Sequence, residues 1–261
     1  MKMKITGLVI TLLIILSVPV YGEEQAFIIG RVDAWPPFYY QENGEWHGSS
    51  VDAYRALADK AGIKLIFKNI PWSRALHDME HKPIMLADLS PTEERARSMF
   101  FFGPHDNEIM GVLLSVKHKN EAIVSLNDLA TLAKKNHKKI IYQQDYFFST
   151  EFNARINSDP AFAVNFRKKT TLIKDSVRLV AENKYLGYME DKRSLVYLIK
   201  SNNLSDKVFV HEYKLNETQV YMGVSKTISN DMYWKLKKAD DILIKNNIYK
   251  KIQRKWVARQ D

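Results

Sequence analysis

The stretch Pro83-Ile84-Met85-Leu86-Ala87-Asp88-Leu89-Ser90-Pro91-Thr92-Glu93-Glu94-Arg95 decides the fold. Residues 83–89 form a short apolar run that reads as a strand. Ser90 or Thr92 then offers a capping hydroxyl, and Glu93 and Glu94 put acids in the first turn of a helix. The upstream sequence repeats this order. Residues 27–32 read as a strand, and Asp33-Ala34-Trp35-Pro36-Pro37-Phe38 leaves it extended, because two prolines bar helix there. A turn falls at residues 42–45. Ser50 is placed to cap a helix over residues 51–61, with Val51, Tyr54, Leu57 and Ala58 on one face and Gly62 as its stop. Residues 64–68 read as a strand, and Pro71-Trp72 opens a helix over residues 73–80. Strand and helix alternating at this spacing predict an α/β unit with a parallel sheet.

Downstream, Phe100-Phe101-Phe102 is expected to stop at Gly103-Pro104, with a new strand at residues 111–116. Ser125-Leu126-Asn127-Asp128-Leu129 opens a short helix, followed by a strand at residues 139–143. Helix is expected over residues 175–183, then a strand at 185–189 that ends on Glu190-Asp191, then helix over 194–201. Strands at 208–213 and 220–224 precede a tail that is helical from Asp231. The chain thus reads as two successive α/β units, with a last segment that need not belong to the second. Ligands of open α/β folds sit beyond the carboxyl ends of strands, so polar residues just after strands carry the functional interest.

Composition narrows the choices. The 261 residues include no Cys, which removes a disulfide framework, a thiolate metal site and a Cys nucleophile. No His-x-x-x-His, Gly-x-Ser-x-Gly or zinc pattern occurs, so no catalytic residue, metal or cofactor is nominated. Lys2 and Lys4 precede an apolar run from Ile5 to Val20 that closes on Val20-Tyr21-Gly22. This pattern predicts an export signal cleaved near Gly22 and a periplasmic protein, with an uncleaved anchor as the alternative. The run of 16 residues is shorter than the roughly 20 that span a bilayer. The net charge of +9 falls to +7 without those two lysines. Much of the excess sits late, in Lys235, Lys237, Lys238, Lys245, Lys250, Lys251, Arg254 and Lys255, interleaved with Leu236, Ile242, Leu243, Ile248, Ile252 and Trp256. That is an amphipathic helix with a solvated basic face, and no nucleic-acid partner is expected.

Several of these pieces resemble, in order, the bacterial extracellular solute-binding proteins of family 3. They are the Trp35-Pro36-Pro37-Phe38 element, the Val51-Asp52-Ala53-Tyr54 helix, Trp72 opening a helix, Ser90-x-Thr92-x-x-Arg95 before an aromatic run and Gly103-Pro104, Ser125-Leu126-x-Asp128-Leu129, and the closing Ile248-Tyr249-x-x-Ile252-x-x-x-Trp256. The resemblance covers nearly all of the chain after Gly22. It implies an α/β, type II periplasmic binding protein: two α/β lobes joined by two hinge crossings near residues 106–110 and 215–220. Lobe one would comprise residues 23–108 and 218–261, and lobe two residues 109–217. The implied function is capture of a small ligand, an amino acid or related carboxylate, by hinge closure for ABC-type uptake, most often by a monomer. The alternatives are a sensor that serves a membrane receptor, a dehydratase-like enzyme on the same fold, and a basic binder of anionic polymer.

The resemblance also implies a site. Arg95 matches the family's partner for the ligand carboxylate, and a guanidinium fork suits a carboxylate. Ser90 matches a position whose hydroxyl or backbone N–H meets the same carboxylate. Trp35 and Trp72 match two aromatic positions that sandwich the ligand side chain. Asp191 lines up with the carboxylate that receives the ligand's amino group, with Glu190 as fallback. Arg74 would add a cation suited to a dicarboxylate, whereas Asp33 would favour a cationic side chain, and the choice stays open. The chain also departs from the pattern. His81-Lys82-Pro83-Ile84-Met85 lacks the usual Gly-x-x-Asp, the parallel Asp is missing around Lys184-Tyr185-Leu186-Gly187, and Gln143-Gln144-Asp145-Tyr146 replaces a Gly-Ser/Thr anion loop. These departures put the lobe-two contacts in doubt.

Overall fold

The computed structural model describes residues 27–169 and 173–257. The expected export segment, with its cleavage point near Gly22, lies outside them. Three parallel strands form the first half of the sheet: β1 (Phe27–Val32), β4 (Lys64–Asn69) and β5 (Ile84–Leu89), with β1 in the middle. Between β1 and β4, a hairpin of β2 (Tyr40–Glu42) and β3 (Glu45–His47) flanks the expected turn. Helix α1 (Ser49–Ala61) follows it, and α2 (Trp72–Asp78) connects β4 to β5. Gly62 ends α1 in the left-handed conformation at φ 67°.

Ser50 does not cap α1. The helix starts two residues earlier, behind Gly48, with no side-chain cap, and the Ser50 hydroxyl instead donates to the carboxylate of Asp88 at 2.7 Å. Gly48 is needed because its φ of 134° brings the backbone against the Phe38 carbonyl, where a Cβ would lie 1.9 Å from the oxygen. After β5, the short α3 (Glu93–Ala96) is capped by Thr92, whose hydroxyl accepts from the Arg95 N–H.

The phenylalanine run does not stop at Gly103-Pro104. It belongs to β6 (Met99–Ser115), 17 residues long, which continues through that dipeptide. This strand pairs antiparallel with β11 (Asn216–Ser225) along its first part and with β9 (Gly187–Asp191) and β10 (Val208–Val210) along its last. Residues 106–110 lie directly beside residues 216–220. The second half of the sheet is parallel, with β9, β7 (Ile140–Gln143) and β8 (Phe166–Lys169) side by side. The full order is β4-β1-β5-β11-β6-β9-β7-β8, so two parallel α/β units meet through two long antiparallel strands.

Ser125 caps α4 (Leu126–Lys135), as the sequence predicts. The segment after β7 holds α5 (Thr150–Ser158) and α6 (Pro160–Ala163), which the sequence reading passed over together with β8. Their Phe152, Phe162 and Phe166 rings pack at 4.6–6.0 Å and build a core with Leu129, Leu132 and Ile140. Helices α7 (Ile173–Ala181) and α8 (Lys192–Ser201) cover the other face. A second apolar cluster runs from Val32, Leu57 and Met85 through Leu113 and Tyr188 to Leu198. The basic tail is two helices, α9 (Asn230–Lys245) and α10 (Ile248–Val257), broken at Asn247 with φ 55°. Leu236, Leu243, Tyr249 and Trp256 are buried, and most of the lysines face outward.

Candidate functional site: a cavity at the seam of the two units

The polar groups converge where β5 and β6 face the loop after β7. Asp88 closes β5 in a left-handed conformation, φ 60°, which few non-glycine residues adopt. Its carboxylate accepts from the hydroxyls of Tyr39 and Ser50, and its N–H donates to His105 Nε2 at 3.2 Å. Burial nonetheless raises its pKa above the usual range. Two residues on, Ser90 is buried, and its carbonyl accepts from Arg95 Nη1 at 2.9 Å.

Arg95, in α3, therefore folds back over the end of β5. Its other nitrogen, Nη2, donates to the Asp145 carbonyl at 3.4 Å. The guanidinium lies 5.8 Å from the Trp72 ring centre. Among the described residues it forms no ion pair with a carboxylate, and its hydrogen bonds go to backbone carbonyls. Burial lowers its pKa, opposed first by the negative charge of Glu108. A half-buried guanidinium whose hydrogen bonds go only to carbonyls keeps the geometry to pair with an anion.

A small cavity of about 20 Å³ opens in front of it. Trp35, Trp72, Asp88, Ser90 and Arg95 form one side; Glu108 and Met110 of β6, with Tyr146 and Phe147 after β7, complete it. Arg95 also borders a wider cleft that runs outward past Ser73, Gln144 and Asn157. The expected tryptophan pair is present, but the two rings flank Tyr146, at 6.0 Å from Trp35 and 5.6 Å from Trp72. The loop after β7 also holds the seam shut. The Asp145 carbonyl accepts from Trp72 Nε1 at 3.1 Å, and its carboxylate accepts from the Ser73 hydroxyl.

Two expected residues do not reach the cavity. Asp191 is fully buried and caps α8, accepting from the N–H groups of Arg193 at 2.8 Å and Ser194 at 3.3 Å. Its second oxygen accepts from Ile109 N–H, and Arg193 Nε lies 3.6 Å away. Burial raises the Asp191 pKa, with the Arg193 charge opposing. Arg193 in turn bonds Asp106 at 2.8 Å; burial would lower its pKa, but Asp191 and Asp106 outweigh it and raise it. Arg74 points outward from α2, 62% exposed, and pairs with Asp78 at 2.9 Å as an ordinary i,i+4 partner. The fallback Glu190 is also sealed in, bonded by the Tyr188 hydroxyl and the Asp191 N–H. Asp33 is held by Arg31 at 2.6 Å.

The sequence reading missed the wall opposite Arg95. Glu108 is 6% exposed and lines the cavity, with no hydrogen bond or ion pair among the described residues. Burial, then the charges of Asp191, Asp88 and Glu190, push its pKa well above the usual carboxyl range. Its only sequence signal was an acid beside Asp106 in the expected crossing. Among the described residues, no group of three or more His, Asp and Glu is placed to hold a metal, and no helix is long and apolar enough to cross a membrane.

The bacterial extracellular solute-binding family 3 model matches residues 27–259. The chain is 26% identical over 246 residues to the probable amino-acid-binding protein YxeM of Bacillus subtilis (strain 168), covering 90% of this chain and 84% of that protein. Its fold is similar to a histidine kinase sensor domain that resembles periplasmic binding proteins, with TM-score 0.72, 20% identity, and 89% of this chain and 96% of the other covered. It is equally similar to an ancestral arginine-binding protein bound to arginine, with TM-score 0.71, 21% identity, and 89% and 98% covered. The architecture is that of the type II periplasmic binding proteins, and the chain belongs to the bacterial extracellular solute-binding proteins, family 3.

Proposed function

We propose that this solute-binding protein captures an amino acid or related small carboxylate on Arg95, in the periplasm, and delivers it to an ABC permease without chemical turnover. One observation carries the reading. Arg95 is a half-buried guanidinium that lines the cavity and has no carboxylate partner of its own. The name of the Bacillus relative agrees with an amino-acid ligand. In this reading the lobes part within residues 106–110 and 216–220, where β6 and β11 run side by side and can bend together. Trp35, Trp72 and the Ser90 backbone shape the pocket around the ligand, and Tyr146 yields its place between the rings when the seam opens. The protein acts as a monomer. The likeness to a histidine kinase sensor domain supports a second reading, in which the same capture is reported to a membrane receptor.

A thermal-shift screen of the chain from Glu23 onward, against amino acids and small carboxylates, tests the proposal. A ligand at 100 times its Kd stabilises by about 2.7 kcal/mol. For a protein of this size that raises Tm by about 5–11 °C. Arg95→Ala should remove the shift, because truncating one partner of a buried charge pair costs about 2–5 kcal/mol. A ligand that binds Arg95→Ala as tightly as the wild type refutes the carboxylate anchor.

A further inference from the structure

We propose that the loop after β7 is a built-in occupant of the site: Asp145 and Tyr146 take the places at Arg95 and between the two tryptophans, hold the units closed at rest, and have to be displaced by the ligand. The competition rests on capture at Arg95, whereas the self-closed resting state is a property of the chain alone. The loop is tied to its own unit on both sides. The Gln144 N–H donates to the Lys169 carbonyl at 2.9 Å, and Asn153 Nδ2 donates to the Tyr146 carbonyl at 3.2 Å. From there the loop reaches across the seam. The Asp145 carbonyl collects two donors of the first unit, Trp72 Nε1 at 3.1 Å and Arg95 Nη2 at 3.4 Å, and the Asp145 carboxylate takes the Ser73 hydroxyl. Asp145 does so in the left-handed conformation, φ 61°, which costs a non-glycine residue free energy.

These contacts copy those of a captured carboxylate. A carbonyl oxygen accepts from the Arg95 fork, and the negative charge of Asp145 acts on the same guanidinium. The Tyr146 ring stands edge-on to both tryptophans, at interplanar angles of 61° and 71°. The 20 Å³ left beside it has room for about one water molecule, so an amino acid enters only when the ring leaves. The ring is held by packing alone, because among the described residues its phenol makes no hydrogen bond. The three bonds across the seam are solvent-exposed, and water replaces such bonds at little net loss. The clasp therefore opens reversibly. While it is closed the site is blocked, so the apparent affinity falls by the fraction of molecules that are open.

The chain has no Cys, so two introduced cysteines take spin labels cleanly. Glu80→Cys, just after α2, and Asn157→Cys, in α5, place the labels on opposite lips of the outer cleft. Their separation is measured by pulsed electron paramagnetic resonance without ligand. The expected result is a short distance in the labelled protein and a longer one after Tyr146→Ala or Ser73→Ala. Ser73 is exposed, so its truncation leaves the fold intact even where that of Tyr146 does not. Distance distributions that coincide with and without these substitutions refute the clasp. Calorimetry with the twenty protein amino acids then reads the competition in unlabelled protein. Any amino acid that binds should bind Tyr146→Ala about 10-fold more tightly than the wild type, the gain expected from removing two edge-on ring contacts that oppose it. Equal or weaker binding to Tyr146→Ala overturns the competition. If no amino acid binds either protein, amino-acid capture fails, and the label distances still decide the clasp.

Discussion

Replacing Glu190 by Gln should change the pH dependence of stability more than stability itself. Glu190 is fully buried in β9, accepting from the Tyr188 hydroxyl at 2.6 Å and the Asp191 N–H at 2.9 Å. Burial raises its pKa from 4.5 to about 7; the two hydrogen bonds oppose the rise, and the neighbouring Asp191 charge adds to it. In the unfolded chain the carboxyl ionises near 4.5, while in the folded protein it stays protonated up to about 7. Between those values the native state binds more protons, so its stability falls as pH rises, and the loss is complete above the folded value. At 1.36 kcal/mol per pH unit, the gap corresponds to about 3 kcal/mol. Gln cannot ionise, and it can still accept from Asp191 N–H while donating to the Tyr188 oxygen. Urea denaturation of both proteins across pH 4.5–8 reads the effect directly. The difference in stability between variant and wild type should shift in favour of Gln by about 3 kcal/mol, or about 6–12 °C in Tm. The other buried carboxyls act on both proteins alike, apart from Glu108, whose pKa the Glu190 charge helps to raise. Parallel profiles, with a difference that does not change with pH, would refute the assignment of Glu190 as a buried acid that is neutral at mild pH.

Two further substitutions test how the first unit is held together. Gly48→Ala forces a Cβ to 1.9 Å from the Phe38 carbonyl oxygen, a backbone atom that cannot swing aside. It should cost about 2–4 kcal/mol and lower Tm by about 5–15 °C, and a wild-type melting curve would show that the turn has slack. Asp52→Ala removes the oxygen that receives both Lys255 Nζ and Trp256 Nε1 at 2.8 Å and ties α10 to α1. The expected loss is about 1–2 kcal/mol, seen as faster hydrogen exchange confined to α10, and unchanged exchange there would discount the tether.

Most of the elements were legible because their signals are local. Thr92, Ser125 and Gly62 each mark a helix end by a hydrogen bond or a left-handed residue within a few positions. The omissions have a common cause. Helices α5 and α6 lack a long apolar period, and only Phe152 and Phe162, with Phe166 of β8, reveal the core. Ser50 looks like a cap in the sequence, but its hydroxyl is used by Asp88, 38 residues away. Asp191 was read as a ligand contact with a helix start as the alternative, and here its carboxylate caps α8, while Arg193 packs against Phe38 at 4.6 Å and bonds Asp106 at 2.8 Å.

The cavity itself was half legible, and the reason lies in β6. Gly103-Pro104 is a strong local breaker, so the run from Met99 to Ser115 reads as two strands with a connecting loop between them. In the folded chain β11 pairs with both sides of the dipeptide, from Ser225 against Met99 to Asn216 against Met110, and the partner strand keeps the ladder going across the break. Residues expected in a solvated linker thereby become the floor of the seam between the two units. An acid on a linker is unremarkable, whereas an acid on a buried strand needs a partner or a proton. Glu108 has no protein partner among the described residues, faces Arg95 across the same cavity, and sits on the strand that would bend when the lobes part. Its significance is therefore long-range: it comes from the pairing of residues about 110 positions apart, and no window around Glu108 alone contains it.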